Sequence, residues 1–227
     1  MKISIMQPTF LPWIGYFNMI IQSDLFVFLD DVQFERRSFQ SRNKLIIDKS
    51  EKLISVPVDS KNKFSQLLSE VKINYDRDWA KEHLKSIYYN YCKHKFFNEV
   101  YSILEKDLKC KDDKLIELNC RLIRSICRYL EINTKFDSSL KYGVKEKKSK
   151  KILGLLKSIG AKHYLTPERA KDYLGEDGKI LKDENIEVTF LSYECKKYEQ
   201  KNSKNFISRL SIIDLLFNHG KDSKNLI

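Results

Sequence analysis

Glycine is scarce in this chain: only seven of the 227 residues are glycine, and no glycine-based nucleotide motif is present. There is no G-x-G-x-x-G after the first apolar run, no Walker loop and no G-x-S-x-G elbow. A glycine-rich phosphate loop is therefore not predicted. If a nucleotide-linked ligand binds, side chains and helix starts have to hold it.

Cysteine and histidine are also sparse. The five cysteines are an odd number and no two of them form a C-x-x-C pair, so neither a disulfide framework nor a cysteine-based metal site is predicted. No two of the four histidines have the spacing of a metal motif such as H-E-x-x-H. We therefore expect neither a bound metal nor another cofactor.

Long hydrophobic runs are absent as well. No stretch reaches the roughly 18–20 apolar residues that a membrane-spanning helix needs, and no small-residue cleavage site follows the apolar opening. We expect a cytoplasmic protein without a membrane span. A hydrophobic content of 42% with 12% aromatic residues is enough for a substantial core.

Acidic residues are outnumbered, 31 against 42 basic ones, which gives a net charge of +11. Much of the lysine lies in runs at 145–151, 196–197 and 201–204. Such runs are ordinarily solvated surface. The alternative is a surface that attracts an acidic partner, such as a nucleotide-linked substrate, an acidic carrier protein or a nucleic acid. No DNA- or RNA-binding motif accompanies the charge.

Apolar periodicity predicts strands near both ends of the chain and helices between them. The predicted strands are 2–6, 25–29, 162–165 and 186–192, with a hairpin at 44–47 and 52–58. The predicted helices are 14–22, 78–92, 96–107, 112–130, 149–158 and 210–217. This alternation indicates an α/β fold with a Rossmann-like, mostly parallel sheet. We expect a single domain, 1–227, with a helical insertion at about 78–131; an α+β fold is the alternative.

The candidate site follows the first two strands, because ligands of open α/β sheets bind beyond the carboxyl ends of the strands. Gln7 starts a proline-restricted loop that closes with Trp13 and Tyr16, and Asp30-Asp31 follows the second strand. Together they predict a pocket for a polar small molecule. The alternatives are a capping role for the aspartates and a core position for the two aromatic residues.

Three stretches carry a family resemblance: MQPTFLPWIGYF, FVFLDDVQFERRSFQSRNK and LSIIDLLFNHG. They resemble the WbqC-like family of bacterial polysaccharide-cluster proteins, from Met1 to Gly220, and Tyr198-x-Gln200 is a fourth landmark. The resemblance implies a role in O-antigen or related surface-glycan assembly. It also implies the transfer of a glycyl or similar amino-acyl group to an amino sugar. We expect this sugar to be nucleotide-linked, and the alternatives for the acyl donor are an acidic carrier protein, an aminoacyl-tRNA and free amino acid with ATP.

The opening segment also resembles pantothenate synthetase and related nucleotidylyl transferases. Those enzymes hold nucleotide phosphates with two histidines in an H-x-G-H motif. The corresponding positions here are Trp13-Ile14-Gly15-Tyr16. Because both histidines are absent, the resemblance extends to the strand–loop–helix geometry and not to adenylylation.

Acyl transfer to an amine needs a base for the amine proton, and the sequence offers several candidates. Asp30 or Asp31 is the first, because a carboxylate can accept the amine proton. His83 lies one helical turn beyond Trp79 and is a second candidate. Asp214 is a third, and the family resemblance includes it.

Substrate contacts are predicted for polar residues around these candidates. Gln33 and Asn43 are expected to donate to an acyl or sugar oxygen, and Arg37 and Arg42 to hold a diphosphate. Near the carboxyl terminus, the predicted contacts are Tyr198, Gln200 and Asn218. Ser211 is expected to cap the last helix.

Two other functions are also compatible with the sequence. The first is a glycosyltransferase-like enzyme that uses a nucleotide-sugar, with Asp30-Asp31 binding a divalent cation. The second is a non-catalytic binding protein of glycan assembly. Metal dependence separates the first from acyl transfer.

Overall fold

A computed structural model describes residues 1–61, 63, 65–171, 181 and 184–227. Within these residues the chain forms seven strands and six α-helices. The strands are β1 (Lys2–Met6), β2 (Leu25–Phe28), β3 (Arg42–Ile47), β4 (Ser50–Ser55), β5 (Lys135–Ser138), β6 (His163–Pro167) and β7 (Glu187–Leu191). The helices are α1 (Ile14–Ile21), α2 (Trp79–Tyr91), α3 (Phe97–Lys109), α4 (Leu115–Tyr129), α5 (Lys148–Ile159) and α6 (Ile212–His219).

Five of the strands form one parallel sheet in the order β5-β2-β1-β6-β7. Numbered by their sequence within the sheet, the strands run 3-2-1-4-5, which is the order of a Rossmann-type fold. Strands β3 and β4 pair separately as an antiparallel hairpin. The predicted α/β class with a Rossmann-like parallel sheet is therefore confirmed.

The chain divides into two compact units. The first contains Met1–Gln7, Asn18–Asp31 and Asn133–Glu194, and the second contains Pro8–Phe17, Val32–Ile132 and Cys195–Ile227. The parallel sheet and α5 belong to the first unit, and the hairpin, α2 to α4 and α6 belong to the second. The expectation of a single domain with an insertion stays a prediction.

The core of the first unit forms between the sheet and α5. Ile3 and Ile5 of β1 pack with Val27 of β2 against Leu155 and Leu156 of α5. Fully burying one such side chain contributes about 1.5–3 kcal/mol. Helix α5 ends at Gly160, whose φ of +71° provides the left-handed residue that commonly follows a helix.

The core of the second unit is rich in aromatic residues. Tyr91 at the end of α2 stacks on Phe217 of α6, with ring centroids 4.6 Å apart. Helix α4 buries Leu118 and Leu122 on one face, as its spacing predicts. The side chain of Ser211 caps α6 by accepting a hydrogen bond from the backbone N–H of Ile213. The predicted cap is confirmed.

None of the helices in the described residues combines the length and the apolar character that a bilayer crossing requires.

Gly15 is needed for close packing inside the second unit. A Cβ at this position would collide with the indole ring of Trp13. Helix propensity alone predicts that Gly15→Ala stabilises α1 by up to about 1 kcal/mol. We expect the opposite sign, a loss of about 1–3 kcal/mol in the free energy of unfolding, because the added methyl overpacks the site.

Urea denaturation of G15A in two backgrounds checks this expectation. In W13L the ring is absent, so the alanine should cost much less than it does beside Trp13. An equal cost in both backgrounds would show that the indole ring is not the reason for the glycine.

Candidate functional site

Asp30 fastens the end of β2 to the turn that follows β5. Its carboxylate accepts hydrogen bonds from the Ser139 hydroxyl at 2.8 Å, from the Leu140 backbone N–H at 3.2 Å and from the Ser138 hydroxyl. Its own backbone N–H donates to Ser139 Oγ at 3.1 Å. With a residue exposure of only 5%, Asp30 is placed to organise the backbone here.

Asp31 forms a buried ion pair. Its Oδ2 lies 2.7 Å from Nζ of Lys151, in the first turn of α5, and the two side chains are only 12% and 8% exposed. The Ser139 hydroxyl lies 2.5 Å from Asp31 Oδ1. Lys151 also donates to the Val144 carbonyl at 2.6 Å. Two of the three N–H donors of the ammonium are thus used.

Gln7 follows β1 at the same edge of the sheet as Asp31. The strand ladder continues to a hydrogen bond from the Leu29 N–H to the Met6 carbonyl, at 2.9 Å. Gln7 therefore follows β1, and the Asp30-Asp31 pair follows the neighbouring strand β2. This edge lies beyond the carboxyl ends of parallel strands, where α/β proteins bind their ligands.

A second polar cluster surrounds Asp214 within the second unit. Asp214 is 1% exposed, and its carboxylate accepts hydrogen bonds from the hydroxyls of Tyr91 and Tyr198, both at 2.8 Å. The Gln200 amide lies 3.3 Å from the same carboxylate and also donates to the Ile207 carbonyl at 2.8 Å. The structure thus brings three predicted site residues together, and Asn218 adds a hydrogen bond to the Asp214 carbonyl.

Burial dominates the electrostatics of this cluster. It raises the pKa of Asp214, and the hydrogen bonds from Tyr198, Tyr91 and Gln200 act in the opposite direction. The pKa values of Tyr91 and Tyr198 are also raised, first by burial and then by the neighbouring Asp214 charge. Both tyrosines are therefore neutral donors near neutral pH.

A pocket of about 390 Å³ opens beside Tyr198 and Gln200. Lys201, Lys204 and Asn205 are among the residues that line it. Asp214 fixes the tyrosine and the glutamine at the wall of this pocket. Asp214 thus acts on the pocket through Tyr198 and Gln200, as a positioning residue.

Two predicted site residues make hydrogen bonds to the backbone of the second unit. His83 places Nε2 2.9 Å from the Ser55 carbonyl, and burial lowers its pKa. The Asn43 amide donates to the carbonyls of Phe10 and Leu11, at 3.1 and 2.8 Å. Asn43 thereby stabilises the proline-restricted loop that begins at Gln7.

The remaining predicted residues also lie in the second unit. Tyr16 is 2% exposed and belongs to the core, where burial raises its pKa. Trp13 forms a bridge with Ser211 and packs over Gly15. Gln33 and Arg37 are exposed, and the half-buried Arg42 begins β3. Their contacts with a substrate stay predictions.

Three residues of these clusters were not predicted as site residues from the sequence: Ser139, Lys151 and Tyr91. A signal existed for the last two. Lys151 shares a helical face with Leu155, and Tyr91 continues a buried stripe of α2 through Ile87. No such pattern marks Ser139. Among the described residues, no group of three His, Cys, Asp or Glu side chains is arranged to hold a metal ion.

Comparison with known proteins identifies the family. The profile of the WbqC-like protein family matches residues 7–226. The chain is similar to the Mycobacterium tuberculosis (strain ATCC 25618 / H37Rv) protein named "Uncharacterized protein Rv1507c", with 31% identity over 227 residues, which are 100% of this chain and 97% of that protein. No solved structure matches the chain significantly. The first of these findings covers nearly the whole chain, and this protein therefore belongs to the WbqC-like protein family.

Proposed function

We propose that this protein is an aminoacyltransferase of surface-polysaccharide biosynthesis. It moves a glycyl or similar amino-acyl group to the amine of a nucleotide-linked amino sugar. The observation that carries the proposal is the buried pair of Asp31 and Lys151 at the carboxyl edge of a parallel sheet. A carboxylate and an ammonium in contact supply the acceptor and the donor that acyl transfer to an amine requires.

In the proposed reaction the neutral amine attacks the carbonyl carbon of the donor. A C–N bond forms, the C–S or C–O bond to the carrier breaks, and the leaving sulfur or oxygen takes up a proton. Asp31 accepts the proton that the amine loses and passes it to the leaving sulfur or oxygen. This protonation removes the negative charge that Lys151 faces at 2.7 Å. The ammonium is then available to stabilise the developing oxyanion.

The other assigned roles extend this proposal. Gln7 contacts the sugar at the end of β1. The net charge of +11 favours an acidic acyl donor, either a carrier protein or an aminoacyl-tRNA. We place the proposed reaction in the cytoplasm.

A transfer assay tests the proposal directly. Purified protein is incubated with nucleotide-linked 3-amino and 4-amino sugars and with glycine carried as a carrier thioester, as glycyl-tRNA or free with ATP. We expect mass spectrometry to find one glycyl increment on the sugar with one of these donors. No increment with any donor, under conditions where the sugar binds, would contradict acyl transfer.

The glycosyltransferase alternative relied on a divalent cation at Asp30-Asp31. All four carboxylate oxygens already have protein partners, and one of these partners is the Lys151 ammonium. A second cation beside Asp31 would be repelled by this ammonium. Sugar transfer that depends on added Mg²⁺ or Mn²⁺ would nonetheless favour the alternative over acyl transfer.

A further inference from the structure

Thr166 in β6 carries a hydroxyl that the fold does not use. The residue is fully buried, and its Oγ1 makes no hydrogen bond within the described residues. A buried polar atom without a partner costs free energy that an apolar side chain of the same shape would avoid. Such an atom in a functional protein requires an explanation, and a ligand that completes its hydrogen bonding is one.

The position of Thr166 in the sheet is where a ligand is expected. β6 neighbours β1, and from this junction the sheet grows through β2 and β5 on one side and through β7 on the other. Open α/β sheets bind ligands at such a reversal, beyond the carboxyl ends of the strands. Thr166 is the second-last residue of β6, and Gln7 follows the neighbouring β1.

The hydroxyl also faces the start of α5. Side chains alternate along a strand, so Thr166 shares a face with Tyr164, which packs in the core with Leu155 and Leu156 of α5. Helix α5 leads into β6 through a short turn and runs antiparallel to it, so its first turn lies at the carboxyl edge. The contact between Lys151 and Asp31 confirms this placement.

The first turn of α5 is rich in lysine, and Lys151 within it pairs with Asp31. It contains no acidic residue, and its N-cap residue, Lys147, makes no side-chain cap. Lys148 and Lys150 follow in the same turn, both exposed and without an ion-pair partner among the described residues. Cations at a helix start oppose the helix dipole, whereas an anion there is favourable.

We infer that Thr166 and the first turn of α5 bind a phosphate group of the substrate. This inference rests on the proposed function, in which the acceptor is a nucleotide-linked sugar. The Thr166 hydroxyl donates to one phosphate oxygen, and Lys148 neutralises the charge at the helix start. Because Thr166 is fully buried, binding requires local movement of the residues that cover it.

Thr166→Val is the sharpest test, because it removes the hydroxyl and keeps the shape. We expect T166V to be at least as heat-stable as the wild type without ligand. We also expect its affinity for inorganic pyrophosphate and for uridine diphosphate, measured by calorimetry, to fall at least fivefold. Unchanged affinity would overturn the inference, and so would a clear loss of stability, which would show that the hydroxyl is structural.

Thr134→Val is the matched control. The Thr134 hydroxyl donates to the Ile20 carbonyl at 2.7 Å, in the same unit. T134V should therefore lose stability and keep the wild-type affinity, the reverse of T166V. If both variants lost affinity equally, the loss would be a general effect of losing a hydroxyl and the inference would fail.

A charge reversal tests the helix start independently. Lys148→Glu should raise the melting temperature without ligand, because the acidic residue suits the helix dipole, and should weaken pyrophosphate binding at least tenfold. Lys135→Glu changes the charge by the same amount on an exposed residue at the opposite edge of the sheet. Equal weakening by both reversals would mean that only the net charge matters, which would overturn the inference.

Two further arms identify the phosphate and separate this inference from the proposed function. Uridine diphosphate stands for the nucleotide-sugar and coenzyme A for a phosphopantetheine donor; whichever loses affinity in T166V supplies the phosphate. Specific pyrophosphate binding without any aminoacyl transfer would leave the phosphate site standing and contradict the transferase. Aminoacyl transfer by T166V with the KM of the wild type would support the transferase and contradict the phosphate site.

Discussion

Replacing Asp31 by asparagine is expected to reduce aminoacyl transfer by a factor of about 10²–10⁴, the usual contribution of a positioned general base. The same substitution leaves the Lys151 ammonium buried without its carboxylate. Breaking a buried ion pair from one side typically costs about 3–5 kcal/mol. D31N should thus lose both activity and stability, and a rate measurement alone would not separate the two effects.

The double variant D31N/K151M separates them. Methionine removes the unpaired charge and fills most of the space of the lysine, so the free energy of unfolding should return close to the wild-type value. Transfer should be no higher than in D31N, because the proton acceptor is still missing and the Lys151 ammonium is lost as well. Recovery of transfer together with stability would show that Asp31 acts only through the fold. Loss of sugar binding in both variants would indicate a binding role.

Replacing Asp214 by alanine is expected to lower the free energy of unfolding by about 3 kcal/mol or more. Two buried tyrosine hydroxyls and the Gln200 amide lose their common acceptor, and each unsatisfied buried group costs about 1–3 kcal/mol. Tyr198→Phe removes a single donor and should cost about 1 kcal/mol. Urea denaturation of the two variants checks the difference. Full stability of D214A with lost transfer would instead place Asp214 in contact with substrate.

The pH dependence of stability tests the raised pKa of the buried Asp214 carboxyl group. Burial raises its pKa above the value of about 3.9 that an aspartate has in an unfolded chain. Between these two pKa values the native state holds more protons than the unfolded state, so stability falls as the pH rises from about 4. D214N should not show this decrease in stability, because asparagine does not titrate. Its stability relative to the wild type should increase from pH 4 upward, as measured by thermal denaturation across the range.

The sequence predicted the regular elements well because their apolar periodicity is local. Helix α4 was expected at 112–130 and extends over Leu115–Tyr129, and β1 was expected where it is found. β5 was missed. Its residues, KFDS, contain one apolar side chain, Phe136, and the strand exists because it pairs with β2 and stacks Phe136 on Phe28. Such a strand depends on its neighbours rather than on its own propensity.

The candidate sites were predictable in part for the same reason. Asp30-Asp31 and the group of Tyr198, Gln200 and Asp214 stand out locally, at a strand end and around a helix start. The residues that they contact do not stand out in the local sequence. Lys151 lies 120 residues from Asp31 and resembles the exposed lysines of its run until α5 places it. Periodicity can assign a residue to a buried face, but it does not tell which distant carboxylate that face meets.

The strand order has a consequence for synthesis on the ribosome. Strands β1 and β2 emerge first, but their outer neighbours, β6 and β5, begin only at His163 and Lys135. At about 5–20 residues per second, the nascent β1–β2 pair waits several seconds with both of its edges unpaired. Open strand edges invite pairing with other chains. The long segment between β2 and β5 therefore makes this sheet slow to close and dependent on protection of its first two strands while the rest of the chain is made.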